Sequence, residues 1–252
     1  MKYLLLFLLS LPVYSSVTVI SDLDDTIKIT DAGNIAHATV NGIFSEKVFT
    51  GMPEFLRGTR SYADALFVVS AGPKLIKSRA KALLKKHEIQ YDGLRLRPIP
   101  GKQGKLTFKV KTILEIMDKT PGEVILLGDD VDLDPEVYTE IVKTHPERVL
   151  GVYIHTVKNR PIPEGFVSYW TSLDLALKEH LAGRMESSAV SSVLEALKNE
   201  PKLKRIIPKF ADCPTSAVVW EWQLTTMFSA EAMELGRKLT DYCDRDDSPL
   251  SK

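Results

Sequence analysis

The 252-residue sequence has only two cysteines, Cys213 and Cys243, which are too far apart for a CxxC-type zinc or redox motif. It also has no excess of one charge, because 33 Lys and Arg balance 33 Asp and Glu. That balance argues against a protein held on nucleic acid or an anionic membrane by bulk charge. No internal repeat or low-complexity tract occurs, and 44% hydrophobic with 26% charged residues is typical of globular proteins. We therefore expect one compact domain, or one domain with a small appendage.

Long hydrophobic runs are absent except near the N-terminus. Lys2, the apolar run from Leu4 to Leu11 and the small residues of Val13-Tyr14-Ser15-Ser16 predict a secretory signal over residues 1–16. The run is far shorter than the roughly 20 residues that a membrane span needs. An N-terminal core strand or a retained anchor is the alternative. Export to the periplasm or the medium would allow Cys213 and Cys243 to pair, and two buried thiols are the other reading.

Short apolar segments rich in β-branched residues predict buried parallel strands. They are Val17–Ser21, Ala65–Ser70, the segment near Leu94–Arg97, Val124–Leu127 and Val149–His155. Helical periodicity between them predicts helices over Met52–Tyr62, Pro73–His87, Lys109–Lys119 and Asp134–Lys143. This alternation indicates a doubly wound α/β domain over residues 17–165, with a parallel sheet covered on both faces.

From about Phe166 the pattern changes to helices only. Thr171–Leu181, Ser188–Lys198 and a stretch from about Ser216 to Cys243 have helical patterns. We therefore expect residues 166–252 to form a helical C-terminal extension that packs on the α/β domain.

Polar clusters follow three of the predicted strands, where ligands bind in open α/β sheets. They are Asp22-Leu23-Asp24-Asp25-Thr26, Ser70-Ala71-Gly72 and Gly128-Asp129-Asp130, with Asp132 and Asp134 after the last. Acidic turns that cap helices are the alternative for any one cluster. Crowded carboxylates repel each other unless a cation or protons neutralise them, and oxygen ligands suit Mg²⁺. All three clusters together favour a functional site.

These ordered motifs resemble the four motifs of the haloacid dehalogenase (HAD) superfamily. Within it, Ser21 to Lys28 and Gly128 to Tyr138 are similar to signatures of the phosphatidate phosphatase branch, which includes the actin patch protein catalytic domain and its bacterial relatives. The likeness covers about Val17 to Val157. Substitutions relative to the branch pattern occur at Asp130, Val131, Asp132 and His155.

The resemblance implies a HAD-like fold and a catalytic role for each motif. Asp22 would be the nucleophile that forms an aspartyl-phosphate, and Asp24 the general acid and base. Ser70, with Ala71 and the loop through Thr26, would bind phosphoryl oxygens. The lysine of the third motif would be Lys109, with Lys111 as the alternative.

The same resemblance implies a Mg²⁺ site in the predicted cluster. Its ligands would be the Asp22 side chain, the Asp24 backbone carbonyl and Asp129, with Asp130 or Asp134 in support. The expected activity is Mg²⁺-dependent hydrolysis of a phosphomonoester.

Short intervals between the motifs leave no room for a full cap domain. Fewer than fifty residues separate Asp22 from Ser70, and about forty separate Ser70 from Lys109. The site should therefore be open, with a minimal cap such as a flap around Asp31–Phe49. An open site would admit a phospholipid headgroup with at most peripheral membrane contact. It would equally admit soluble phosphomonoesters, as in a nonspecific exported acid phosphatase, and nothing indicates a nucleic-acid partner.

Two readings from other classes are a receiver-type signalling module and a non-catalytic binding protein on a HAD fold. The order of Lys109 before Asp129 disfavours the first, and the complete motif set disfavours the second. A further feature is the basic run from Gly93 to Lys111. It contains Arg95, Arg97, Lys102, Lys105, Lys109 and Lys111 and no acid, which predicts either steering of an anionic headgroup or a solvated loop.

Overall fold

Six parallel strands form one sheet in the computed structural model, which describes residues 16–30, 46–98, 104–214 and 229–245. The strands are β1 (Val17–Ser21), β2 (Ala65–Pro73), β3 (Gly93–Arg97), β4 (Glu123–Asp129), β5 (Val149–His155) and β6 (Val167–Tyr169). Their order across the sheet is β3-β2-β1-β4-β5-β6. The strand order therefore runs outward in opposite directions from β1 and β4, and a doubly wound sheet has a ligand crevice at such a switch point.

Helices cover both faces of this sheet. They are α1 (Met52–Thr59), α2 (Lys77–Lys86), α3 (Lys105–Met117), α4 (Asp134–Thr144), α5 (Ser172–Leu181), α6 (Ser187–Lys198) and α7 (Ser229–Arg245). Short 3₁₀ turns occur at Lys74–Ile76, Pro146–Arg148 and Leu203–Arg205. The α/β class predicted from the alternating pattern is confirmed.

Alternating strand residues divide the apolar interior into two cores, because successive side chains of a strand point to opposite faces. Val19 of β1 packs in the core that contains Phe55 of α1 and Val193 of α6. Its neighbour Ile20 packs in the other core with Ile113 of α3 and Val137 of α4. Packing on both faces thus holds β1 in place, and this fixes the position of the residues that follow it.

The prediction of helices only from about Phe166 is wrong at β6. Val167–Tyr169 pairs in parallel with Tyr153–His155 of β5 and extends the sheet by one strand. Three residues are too few to show a period of two, so the sequence contains no usable strand signal here. The helices after β6 share the core of α1, and Ser172 Oγ donates a hydrogen bond to Thr50 O at 3.0 Å.

The two cysteines form a disulfide between Cys213 and Cys243, which ties α7 to the segment after the last 3₁₀ turn. Residues 1–15 of the predicted signal over 1–16, most of the flap at 31–49 and the start of the helix expected from Ser216 lie outside the described residues. Among the described helices, none is both long and apolar enough to cross a bilayer.

Candidate active site

Asp22 lies at the centre of the carboxyl edge of the sheet, directly after β1. Its backbone N–H donates to Leu127 O of β4 at 2.8 Å, and its side chain is buried. Asp129 is the last residue of β4 and is buried as well. The two acids that the first and last motifs contributed are therefore brought together at the point where the strand order reverses.

Lys109 of α3 contacts two of the buried acids. Its Nζ donates to Asp22 Oδ1 at 2.6 Å and to Asp134 Oδ1. Lys111 lies on the exposed side of the same helix, 3.8 Å from Glu115 Oε1. The structure thus brings Lys109, and not Lys111, to the predicted nucleophile.

Asp22, Asp129 and Asp134 form a buried triad whose carboxylate oxygens lie within 4.8 Å of one another. Burial raises the pKa of Asp22 well above its usual value, and repulsion from Asp134 adds to it while Lys109 opposes it. Burial and the Asp134 charge also raise the pKa of Asp129. For Lys109, burial lowers the pKa, but the three carboxylates outweigh it and raise the pKa overall, so its ammonium group stays charged.

The donor chemistry of this triad fits a hard divalent cation. Three carboxylates against one ammonium leave an excess of two negative charges in a buried site, and a divalent ion would neutralise that excess. All the side-chain donors are carboxylate oxygens, which Mg²⁺ prefers to nitrogen or sulfur ligands. The cluster is therefore compatible with a divalent metal site.

Asp24 belongs to a second cluster, on the β2 side of Asp22. Its Oδ2 accepts a hydrogen bond from Ser70 Oγ at 3.0 Å, and Ser70 Oγ accepts one from the Gly72 N–H at 3.0 Å. Burial raises the pKa of Asp24, while Lys28, with its Nζ at 3.7 Å, opposes the rise. A carboxyl whose pKa is raised and whose side chain is still 26% exposed can exchange a proton with bound reactants.

Thr26 and Ala71 occupy different positions relative to the cleft. The Thr26 hydroxyl donates to Asp129 Oδ2 at 3.2 Å, so it holds a member of the acidic triad. Ala71 lines the cleft directly after Ser70, and its carbonyl accepts from Arg97 Nε at 3.1 Å. The structure therefore places the Thr26 side chain on the triad, and the expected contact of this loop with phosphoryl oxygens stays a prediction.

Asp130 does not join the triad; of the two acids expected in a supporting position, Asp130 or Asp134, only Asp134 does. Its Oδ1 accepts from the backbone N–H groups of Val157 and Lys158, both at 2.8 Å, and its Oδ2 from that of Arg160 at 3.0 Å. These bonds hold the loop after β5. The two adjacent acids are indistinguishable in sequence, but successive residues at the end of a strand point in different directions, so only Asp129 faces Asp22.

A cleft of about 280 Å³ opens over these residues. Its lining includes Asp22, Asp24, Ser70, Lys109 and Asp129, together with Thr30, Arg97, Lys105 and Asp132. Sequence reasoning did not single out Thr30, and it noted Arg97 and Lys105 only as members of the basic run. The Thr30 hydroxyl is buried and has no hydrogen-bond partner within the described residues. A lone Thr or Arg carries no local motif, so its approach to the cleft becomes visible only in the fold.

Taken together, the acids, the serine and the lysine meet at the carboxyl edge of one parallel sheet, an arrangement that suits phosphoryl chemistry. Residues 17–156 match the family model described as "Phosphatidate phosphatase APP1, catalytic domain", and they make up more than half of the chain. The chain belongs to this family.

Individual relatives are distant. An uncharacterized protein of Schizosaccharomyces pombe is 22% identical over 157 residues, which are 57% of this chain and 26% of that protein. The chain thus spans about a quarter of the length of this relative. A structure of the Pnkp1/Rnl/Hen1 RNA repair complex has 18% identity and a TM-score of 0.41, covering 52% of this chain and 41% of that one. The HAD domain of effector protein Lem4 from Legionella pneumophila has 19% identity and a TM-score of 0.37, covering 56% and 86%.

Proposed function

We propose that the protein is a Mg²⁺-dependent phosphomonoester hydrolase that works through an aspartyl-phosphate on Asp22. The observation that carries this proposal is the contact of Lys109 Nζ with Asp22 Oδ1 at 2.6 Å inside the acidic triad, next to the Asp24–Ser70 pair. A nucleophile, a charge-balancing cation and a proton donor then face one cleft. This combination suits phosphoryl transfer, in which positioning and charge stabilisation dominate catalysis.

In the first half of the reaction, Asp22 attacks phosphorus. A bond forms between an Asp22 oxygen and phosphorus, and the bond from phosphorus to the alcohol oxygen breaks. Asp24 gives its proton to the departing oxygen, a task that suits a carboxyl whose pKa is raised by burial. Lys109 stabilises the negative charge that Asp22 and the phosphoryl group share.

In the second half, the aspartyl-phosphate is hydrolysed. Asp24, now a carboxylate, takes a proton from water as the water oxygen attacks phosphorus, and the Asp22 carboxylate leaves. Ser70 keeps Asp24 in place through the 3.0 Å hydrogen bond and supplies a hydroxyl beside the phosphoryl oxygens. The Gly72 N–H in turn orients Ser70.

Asp22, Asp129 and Asp134 would hold the metal ion. A bound divalent cation supplies charge that offsets the repulsion between a carboxylate nucleophile and a phosphate dianion. Lys109 bridges two of these ligands and fixes the orientation of Asp134 towards Asp22. The Asp129 N–H donates to Asp134 Oδ2 at 3.3 Å, which holds the Asp134 carboxylate next to Asp129.

The substrate that we propose is a phosphomonoester on a lipid, with phosphatidate as its simplest example. The family description supports this class, and two exposed large hydrophobic residues are close in sequence to residues that line the cleft. Leu75, 85% exposed, lies between the cleft-lining Pro73 and Ile76, and Leu106, 37% exposed, follows Lys105. We also propose that the protein is exported and that the predicted signal over residues 1–16 is then removed.

The test is hydrolysis of p-nitrophenyl phosphate by the purified protein at a fixed free Mg²⁺ concentration. The wild type should turn over and Asp22→Asn should not, with the exposed Asp118→Asn as the matched control. Rapid quenching of a reaction with ³²P-labelled substrate should trap label on the wild-type protein that hydroxylamine releases. A wild type that hydrolyses no phosphomonoester in the presence of Mg²⁺ would overturn the proposal.

A second assay decides the substrate class. Phosphate release from phosphatidate in mixed micelles should exceed that from soluble sugar phosphates at equal Mg²⁺. A preference for the soluble compounds would leave the phosphatase mechanism in place and replace the lipid substrate by a general acid-phosphatase role.

A further inference from the structure

Arg97 lies at the carboxyl end of β3 and lines the same cleft as Asp22 and Lys109. Its Nε donates to Ala71 O at 3.1 Å, and Ala71 directly follows Ser70 in the chain. This hydrogen bond fixes the guanidinium group beside the loop that carries the phosphoryl-binding serine. Arg97 therefore occupies a set position at the rim of the site.

The two terminal nitrogens of Arg97 have no partner in the part of the chain that the structure describes. Within residues 16–30, 46–98, 104–214 and 229–245, no carboxylate pairs with them and no hydrogen bond occupies them. The other cleft cations are already paired: Lys109 with Asp22 and Asp134, and Lys105 Nζ with Asp132 Oδ2 at 2.6 Å. Arg97 thus differs from both lysines, because its charge is not balanced by an acid of the described chain.

A guanidinium group in this state suits a carboxylate or phosphate, which it binds with two parallel N–H···O bonds. The acidic triad and Lys109 already account for the reacting phosphoryl group, and Arg97 makes no contact with the triad. We propose that Arg97 binds a second anionic group, a carboxylate or a phosphate, that lies next to the phosphomonoester. This inference rests on the proposed function and names a specificity-determining residue for it.

The second anion can come from two sources of the same chemistry. It can belong to the substrate molecule, as in a phosphomonoester whose alcohol also carries a carboxylate or phosphate. It can also belong to a neighbouring lipid headgroup in an anionic membrane. The two sources require separate assays.

The first assay compares substrates that differ in one anionic group, at a constant free Mg²⁺ concentration. The pairs are glycerol 3-phosphate with 3-phosphoglycerate, and glucose 6-phosphate with 6-phosphogluconate. The wild type should have a kcat/KM about tenfold higher for the doubly anionic member, which corresponds to one charge-assisted hydrogen-bonded pair. Arg97→Gln should lower kcat/KM about tenfold more for that member than for its partner. Arg97→Lys should have a preference ratio between those of the wild type and Arg97→Gln, because lysine keeps the charge and lacks the planar fork of donors.

The matched control is Arg95→Gln. Arg95 is two residues earlier on β3, exposed, and outside the cleft lining. Arg95→Gln removes the same charge from the same strand as Arg97→Gln, so a general effect of net charge would appear in both variants. The preference ratio should change in Arg97→Gln and not in Arg95→Gln.

The second assay measures hydrolysis of phosphatidate in neutral mixed micelles with and without phosphatidylglycerol. Activation by the anionic lipid that is lost in Arg97→Gln and retained in Arg95→Gln assigns the second anion to a neighbouring headgroup. Arg97 dependence in either assay supports the inference. If Arg97→Gln changes neither the substrate preference nor the lipid activation, the inference is wrong.

Failure of the proposed function gives a different result, namely no turnover by the wild type. In that case, calorimetry of the equilibrium binding of 3-phosphoglycerate and glycerol 3-phosphate tests whether Arg97 binds a second anionic group. Tighter binding of the first compound that disappears in Arg97→Gln supports the inference, and equal binding of the two overturns it.

Discussion

The ammonium group of Lys109 lies 2.6 Å from Asp22 Oδ1, and each side chain is only 5% exposed. Water therefore screens this ion pair far less than it would a surface pair. Asp134 contacts the same ammonium group, and its carboxylate is 1% exposed. Lys109 thus holds two members of the acidic triad together, with the same charge that would stabilise a phosphoryl group in the proposed reaction.

Removal of Lys109 should destabilise the metal-free protein more than removal of Asp22. Lys109→Met leaves three buried carboxylates without a cation and should cost about 3–5 kcal/mol of unfolding free energy. Asp22→Asn instead reduces the excess negative charge, so its cost should be smaller. Urea unfolding in EDTA measures both values. Equal destabilisation by the two variants would show that Lys109 does not balance the triad.

Mg²⁺ should stabilise the wild type and Asp130→Asn but not Asp129→Asn. At about a hundred times its Kd a bound ligand adds about 2.7 kcal/mol, which for a chain of this size raises Tm by about 5–10 °C. Asp130→Asn should lose about 1–3 kcal/mol, because its carboxylate holds the N–H groups of the loop after β5. Differential scanning calorimetry of both variants with and without Mg²⁺ measures the change in Tm. An equal rise in Tm for Asp129→Asn and Asp130→Asn would contradict the prediction.

Gly128→Ala should displace Asp134 without touching any reacting group. A Cβ at Gly128 would lie 2.6 Å from Asp134 Oδ2 and 2.7 Å from its Cβ, so the side chain or the start of α4 must move. We expect a loss of Mg²⁺-induced stabilisation and of kcat. Gly104→Ala is the matched control, since its Cβ would meet nothing within 4 Å. Normal Mg²⁺ binding by Gly128→Ala would show that Asp134 is not a ligand.

Much of the site follows from the sequence because its members end strands. Asp22 and Asp129 come directly after predicted parallel strands, so the pattern alone placed both at one edge of the sheet. The pairing of β1 with β4, which makes them neighbours, is seen only in the structure. The family resemblance favoured Lys109 by spacing and left Lys111 as the alternative, and the contact with Asp22 distinguishes the two. The family motifs and the sheet therefore pointed to the same few residues.

Other features depend on side-chain direction and long-range packing, which a single sequence does not encode locally. Asp130 and Asp129 are adjacent acids, yet one holds a loop and the other joins the triad. Arg97 reaches the cleft only because β3 pairs with β2, which places Pro73 opposite it. β6 forms because β5 offers a free edge to a three-residue segment. Each depends on a partner distant in sequence.

Acid should destabilise the protein through His155 as the pH falls below 6.5. Burial lowers the pKa of His155, although the Asp25 carbonyl, 2.7 Å from its Nδ1, and the Trp170 carbonyl oppose this shift. Between the folded pKa and about 6.5 the unfolded chain binds a proton that the folded chain does not, so stability decreases as the pH decreases.

His155→Gln keeps an N–H donor and removes this titration. The difference in unfolding free energy, wild type minus His155→Gln, should decrease as the pH is lowered through that window. The decrease should reach up to about 1.4 kcal/mol per pH unit. Urea unfolding at pH 5 to 7.5 measures it, and the trend of His145→Gln is subtracted as a control. A difference that stays constant with pH would mean that His155 is not held neutral in the folded protein.

Leu75→Ser should impair hydrolysis of phosphatidate in micelles more than hydrolysis of p-nitrophenyl phosphate. Leu75 exposes 85% of its surface between two residues that line the cleft, and its transfer into a lipid surface would contribute about 1.5–3 kcal/mol to binding. We therefore expect kcat/KM for the lipid to fall about tenfold more than kcat/KM for the soluble ester. Leu181→Ser is the matched control, because Leu181 is 71% exposed at the end of α5 and does not line the cleft. Equal losses on both substrates would assign Leu75 a structural role, and no loss on either would remove the exposed leucine from the argument for a lipid substrate.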